Sequence, residues 1–158
     1  MIAGPSLQTD FNPPTVARQA RSDGRTRWAT VAVLVLLSAE LTEQVIGLAI
    51  EVHRNTGPGL LESVYEQCLC HELRNAGVAF ERQVAIPVIY KAVPIGGGFK
   101  ADIVVARQVI LEIKSIAAIL PAHESKLHTY LRVSGIHIGL ILNFNTRRLT
   151  DGIRRYVV

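Results

Sequence analysis

Residues 99–115, FKADIVVARQVILEIKS, decide the fold of this chain. Two runs rich in branched apolar residues, 99–105 and 109–115, read as strands around a tight connection. Asp102 interrupts the first run, and Glu112 and Lys114 interrupt the second. A charge buried alone is costly, so such groups are paired, metal-bound or catalytic. Glu112 and Lys114 are two apart and share one face of their strand. If Ala106-Arg107-Gln108 is a three-residue loop, Val105 pairs with Val109 and Asp102 stands opposite Glu112, at the roughly 5 Å spacing of cross-strand partners. A two-residue loop would set Asp102 against Ile113 and break the cluster.

Two carboxylates that close repel each other unless a cation lies between them, and hard oxygen ligands suit Mg²⁺ or Mn²⁺. Such an ion polarises a phosphoryl oxygen and lowers the pKa of a bound water. Lys114 beside it can orient that water or stabilise charge developing on phosphate. The competing reading of the same three residues is a buried Asp–Lys or Glu–Lys ion pair without catalysis.

Working outward, residues 41–54 place Leu41, Val45, Leu48, Ala49 and Val52 at helical spacing, with Thr42 as N-cap. Asn55 to Gly59 stops that helix. Residues 60–76 form a second helix, with Leu61, Val64, Tyr65, Cys68, Leu69 and Leu73 on its apolar face and Asn75-Ala76-Gly77 as its stop. Residues 79–90 read as a strand that Pro87 pushes to an edge or a bulge. Residues 91–98, ending in three glycines, read as a loop, 122–134 as a helix closed by Gly135, and 136–144 as a last strand. The tail 145–158 carries Arg147, Arg148, Arg154 and Arg155, which suit either a phosphate backbone or solvent. The order from residue 60 is α-β-β-β-α-β, an α/β fold with a mixed sheet flanked by helices.

The chain has 158 residues, which predicts one domain. Residues 1–39 are expected to be a disordered or non-native N-terminal extension, and residues 40–158 the folded domain. Pro5, Pro13 and Pro14 and the lack of an apolar period suggest disorder over 1–27. The apolar run 28–37 (WATVAVLVLL) is too short for a membrane span, which needs roughly 20 such residues. A signal-peptide core is weighed and set aside, because the basic stretch before it is unusually long. Half of the net charge of +4 lies in residues 1–39, so the expected domain is only mildly basic. That permits nucleic-acid binding without arguing for it. Cys68 and Cys70 lie two apart on a helix and would not easily bridge, so a reducing cytoplasmic location is expected.

The arrangement of Asp102 followed by Glu112-Ile113-Lys114 on the next strand resembles the D…(D/E)-x-K pattern of the PD-(D/E)XK nuclease superfamily, whose core has the same element order. A closer resemblance spans residues 41–157. Gly59-Leu60-Leu61-Glu62-Ser63-Val64-Tyr65 looks like the motif that names the GxxExxY family, as do Glu51 to Arg54, the Gln83 segment, Asn143-Phe144-Asn145 and Asp151-Gly152-Ile153. The resemblance implies that Asp102 and Glu112 are metal ligands, that Lys114 is the catalytic lysine, and that Glu62 supports the metal from the helix. It also implies Tyr65 as a phosphate contact, with simple packing as the alternative. One position departs from the pattern. A Gln usually stands four residues before a Tyr on the following helix, and here Lys126 precedes Tyr130. Lys126 would then either replace the Gln as a substrate contact or pair with Glu112 and compete with the metal.

The expected function is a Mg²⁺- or Mn²⁺-dependent nuclease acting on DNA or RNA, with Lys126 or Tyr130 holding substrate. No membrane partner is expected, and a homodimer would span a duplex. The alternatives are a catalytically weak or inactive nucleic-acid- or protein-binding module on the same fold, and hydrolysis of a small phosphorylated molecule.

Overall fold

In a computed structural model, the described residues are 24–158, with side chains from Ser38 onward apart from Gly96 and Gly97. Of residues 1–27, expected to be disordered, 1–23 lie outside the described ones, as do the side chains of the 28–37 run, while 24–27 form the first turn of a helix instead.

Helix α1 (Gly24–Thr56) is far longer than the 41–54 period suggests and runs unbroken past residue 40. Thr42 is therefore not an N-cap. It sits inside the helix, nearly fully buried, and its hydroxyl donates to the carbonyl of Ser38, one turn back. Val45, Ala49 and Val52 form the buried stripe. Gly57, at φ +67, closes the helix by donating to the His53 carbonyl.

Helix α2 (Glu62–Asn75) buries Tyr65, Glu66, Leu69, Cys70 and Leu73. The apolar face expected from the sequence is rotated. Leu61 lies before the helix and is 73 % exposed, and Val64 is also exposed. Glu66 holds a place on the buried face, and its charge disguised that face in the sequence.

Among the described residues the sheet has five strands in the order β1-β2-β3-β4-β5. Strand β1 (Phe80–Tyr90) pairs antiparallel with β2 (Val93–Val105), which pairs antiparallel with β3 (Val109–Lys114). Helix α3 (Pro121–Ser134) carries the chain across one face to β4 (Ile138–Asn143), which is parallel to β3. Strand β5 (Ile153–Val157), after a 3₁₀ turn at Leu149–Gly152, pairs antiparallel with β4. The sheet is thus mixed. Helices α1 and α2 cover one face through a core that includes Tyr65, Leu69, Ile103, Leu111 and Phe144, and α3 covers the other through Val104, Ile110, Leu127, Leu131 and Ile141.

Two segments differ from the reading of the sequence. The 91–98 segment is mostly strand, because Lys91 and Ala92, both at positive φ, make the whole turn. The glycines form a bulge opposite Pro87, which has no N–H to offer the ladder. Gly98 passes so close to β1 that a Cβ would meet the Ile86 carbonyl oxygen at 2.7 Å. The basic tail, in turn, is not a tail. Leu142↔Ile153 to Ile138↔Val157 pairing makes it the edge strand β5, with Arg154 and Arg155 pointing outward.

Candidate functional site

The β2–β3 hairpin closes with Val105↔Val109, followed by Val104↔Ile110 and Ile103↔Leu111. This is the three-residue loop that the site requires. Ala106 and Arg107 take positive φ, and the Gln108 N–H donates to the Val105 carbonyl. Continuing the register sets Asp102 beside Glu112. There the ladder ends, and the side chain of Asp102 takes over from it, with Oδ2 accepting the Ile113 N–H at 2.7 Å. Asp102 therefore stands in the fork where β2 parts from β3.

Glu112 is 2 % exposed. Its Oε2 lies 3.1 Å from Nζ of Lys126 on α3 and 3.6 Å from Nζ of Lys114. Its Oε1 is buried and has no hydrogen-bond partner among the described residues. A carboxylate oxygen left unsatisfied in the interior is expensive, so this atom marks a place where a ligand would be stabilised. Burial raises the pKa of Glu112 above the ordinary carboxylate value, and the neighbouring charge of Asp102 adds to that. Lys126 and Lys114 pull the other way without cancelling it. Asp102 is raised for the same first reason, burial, against the opposing Ile113 hydrogen bond and Lys114.

Glu62 begins α2 and faces this cluster. Its Oε2 lies 3.6 Å from Lys114 Nζ, and its Oε1 accepts the Ser115 N–H. Lys114, 13 % exposed, donates to the Ile113 carbonyl and so lies between two carboxylates. Among the described residues, no three His, Cys, Asp or Glu side chains come close enough to hold a metal by themselves. The structure thus joins Asp102 to Glu112 and joins Glu62 to Lys114, without drawing Glu62 into a ligand trio.

Lys126 has taken the second of its two expected postures, paired with Glu112. Its ammonium also lies 5.1 Å from the Tyr130 ring centroid. Burial works to lower its pKa, but Tyr130 and Glu112 outweigh this and push it up, so it is a fixed cation. The Tyr130 hydroxyl donates to the Lys100 carbonyl. Tyr65 is fully buried, stacked on Phe144 at 4.3 Å. Its hydroxyl donates to the Gly57 carbonyl and accepts the Leu60 N–H, which locks the loop ahead of α2 and leaves no exposed atom for a substrate.

Sequence reasoning missed Glu66. Its buried carboxylate accepts from Arg82 Nε at 2.9 Å and from Gln83 Nε2 at 2.7 Å. The available signal was its place one turn after Glu62, on the side of the helix that carries Tyr65 and Leu69.

A family model for the PD-(D/E)XK nuclease superfamily matches residues 39–156. A search of curated proteins and a search of solved structures each return no match.

Proposed function

The chain belongs to the PD-(D/E)XK nuclease superfamily, and from that premise we propose a Mg²⁺- or Mn²⁺-dependent nuclease that hydrolyses phosphodiester bonds in DNA or RNA. The observation that carries this reading is the buried, unpartnered Oε1 of Glu112 next to Asp102. Two hard carboxylates with one oxygen unsatisfied fit an ion that takes one or two protein carboxylates and completes its shell with water and substrate phosphate. Asp102 and Glu112 would hold it, and it would supply Lewis-acid polarisation of the phosphoryl group.

The remaining residues act on the substrate. Lys114, held between Glu62 and Glu112, presents an ammonium to the charge that develops on phosphate in the transition state. Glu62 orients that lysine and is a further candidate for supporting the metal. Lys126 and Tyr130 line the α3 side as substrate contacts, and Lys126 must first leave Glu112. Residues 40–158 would be the nuclease domain, of the GxxExxY type, with 1–39 as an extension to it. Nucleic acid is the partner. A homodimer would let two such sites act across a duplex, and both cysteines being free suits the cytoplasm. Among the described residues no helix is long and apolar enough to cross a membrane.

A second reading is a non-catalytic nucleic-acid-binding module, favoured by the Lys126–Glu112 pair, which already neutralises the carboxylate. Incubating wild type, Asp102→Ala and Lys114→Ala with labelled DNA and RNA in Mg²⁺, Mn²⁺ or chelator separates the two. Metal-dependent cleavage lost in both variants supports the nuclease. Binding without turnover in every condition supports the module.

A further inference from the structure

Five non-glycine residues have positive φ among those described. Lys91, Ala92, Ala106 and Arg107 sit in the two hairpin turns, where such a φ closes the turn. Gln83, at φ +51, sits inside strand β1. An αL conformation in a non-glycine residue of a strand is strained and persists where surrounding contacts hold it. The holding contact is Glu66. Consecutive strand residues point to opposite faces, yet the kink brings both Arg82 and Gln83 onto the Glu66 carboxylate. The location is telling. Gln83 lies between the Arg82↔Ile103 and Val84↔Ala101 pairs, which puts it beside Asp102. Glu66 is near enough to act on the Asp102 carboxyl.

The outcome is an oriented guanidinium. Arg82 is engaged through Nε, and its side chain is 44 % exposed. No partner among the described residues takes its two terminal nitrogens. A guanidinium held by Nε presents those nitrogens as a fork that matches two phosphate oxygens. Because Glu66 already fixes the side chain, little rotamer freedom remains to be lost on binding. We propose that Arg82, anchored by Glu66 through the strained turn at Gln83, is a nucleic-acid phosphate contact beside the Asp102–Glu112 centre. The inference rests on the nucleic-acid reading above but not on cleavage.

The test is equilibrium binding of a fluorescein-labelled single-stranded oligonucleotide, read by anisotropy in chelator across a salt series, with thermal melts to confirm folding. Wild type, Arg82→Gln and Arg107→Gln are compared. Arg107 is also exposed, but it pairs with Glu81 at the far end of the hairpin. Loss of one phosphate contact lowers the slope of log K against log salt by about 0.7 for a single strand. Arg82→Gln should show that drop with several-fold weaker binding, uniform across sequences, while Arg107→Gln keeps the wild-type slope. An unchanged slope in Arg82→Gln, an equal drop in both variants, or no salt-dependent binding by wild type overturns the proposal. Failure of the nuclease reading would appear separately, as absent cleavage in Mg²⁺ and Mn²⁺.

Discussion

Replacing Lys126 with Gln tests how the site is held before a metal arrives. In the structure the ammonium of Lys126 lies 3.1 Å from Glu112 Oε2, the second oxygen of the carboxylate whose Oε1 is unpartnered among the described residues, and so offsets the charge that would attract a cation. At that distance and an effective dielectric of about 20, the attraction is about 5 kcal/mol. Lys126 is 39 % exposed, so solvent screens much of it. The Gln amide can keep one hydrogen bond, and Lys114 remains at 3.6 Å. A net change of about 1–2 kcal/mol is left, so Lys126→Gln should bind Mg²⁺ roughly tenfold more tightly. The same substitution should lower metal-free stability by about 1–2 kcal/mol, a fraction of the 3–5 kcal/mol for stripping a buried charge of its only partner. Calorimetric titration with Mg²⁺ and urea denaturation in chelator read the two effects. If Lys126→Gln binds Mg²⁺ no better than wild type, the lysine is not competing for the carboxylate and the reasoning fails.

Other predictions follow from single contacts. Tyr65→Phe keeps the stacking on Phe144 but loses both hydroxyl bonds, so urea denaturation should show a loss of about 1–2 kcal/mol, with any activity per folded molecule unchanged. Gly98→Ala forces a methyl against the Ile86 carbonyl and should cost about 1–3 kcal/mol in the same assay. Burial, and then the hydrogen bond to Glu124, push the Tyr156 phenol up to about 12. A folded pKa raised above the unfolded value gives stability that is present below about pH 10 and lost as pH rises through 12. Tyr156→Phe should therefore flatten the alkaline limb of a stability–pH curve, and an unchanged limb would count against the Glu124 contact.

The β2–β3 hairpin was legible because its charges violate strand hydrophobicity, and because one register alone brings Asp102, Glu112 and Lys114 together. Helix–strand order was legible between residues 41 and 144 from the helical and strand periods of the apolar residues. Three features were not. The apolar face of α2 was misplaced because Glu66, a charge, occupies a core position, satisfied by Arg82 and Gln83 from a strand 16 and 17 residues away. The glycine run looked like a loop because composition does not distinguish a bulge opposite Pro87 from a turn. Strand β5 looked like a solvated tail because an edge strand exposes every arginine it carries, and its pairing with β4 is non-local. The posture of Lys126 was open between two readings until α3 was placed against β3.

The central claim is that Asp102 and Glu112 hold a divalent ion. Electron paramagnetic resonance of Mn²⁺ titrated into wild type, Asp102→Ala and Glu112→Gln, each checked for folding, tests it most directly. The account predicts one bound Mn²⁺ per wild-type chain and loss of that site in both variants. No bound Mn²⁺ in wild type, or a site that persists in both variants, would contradict it.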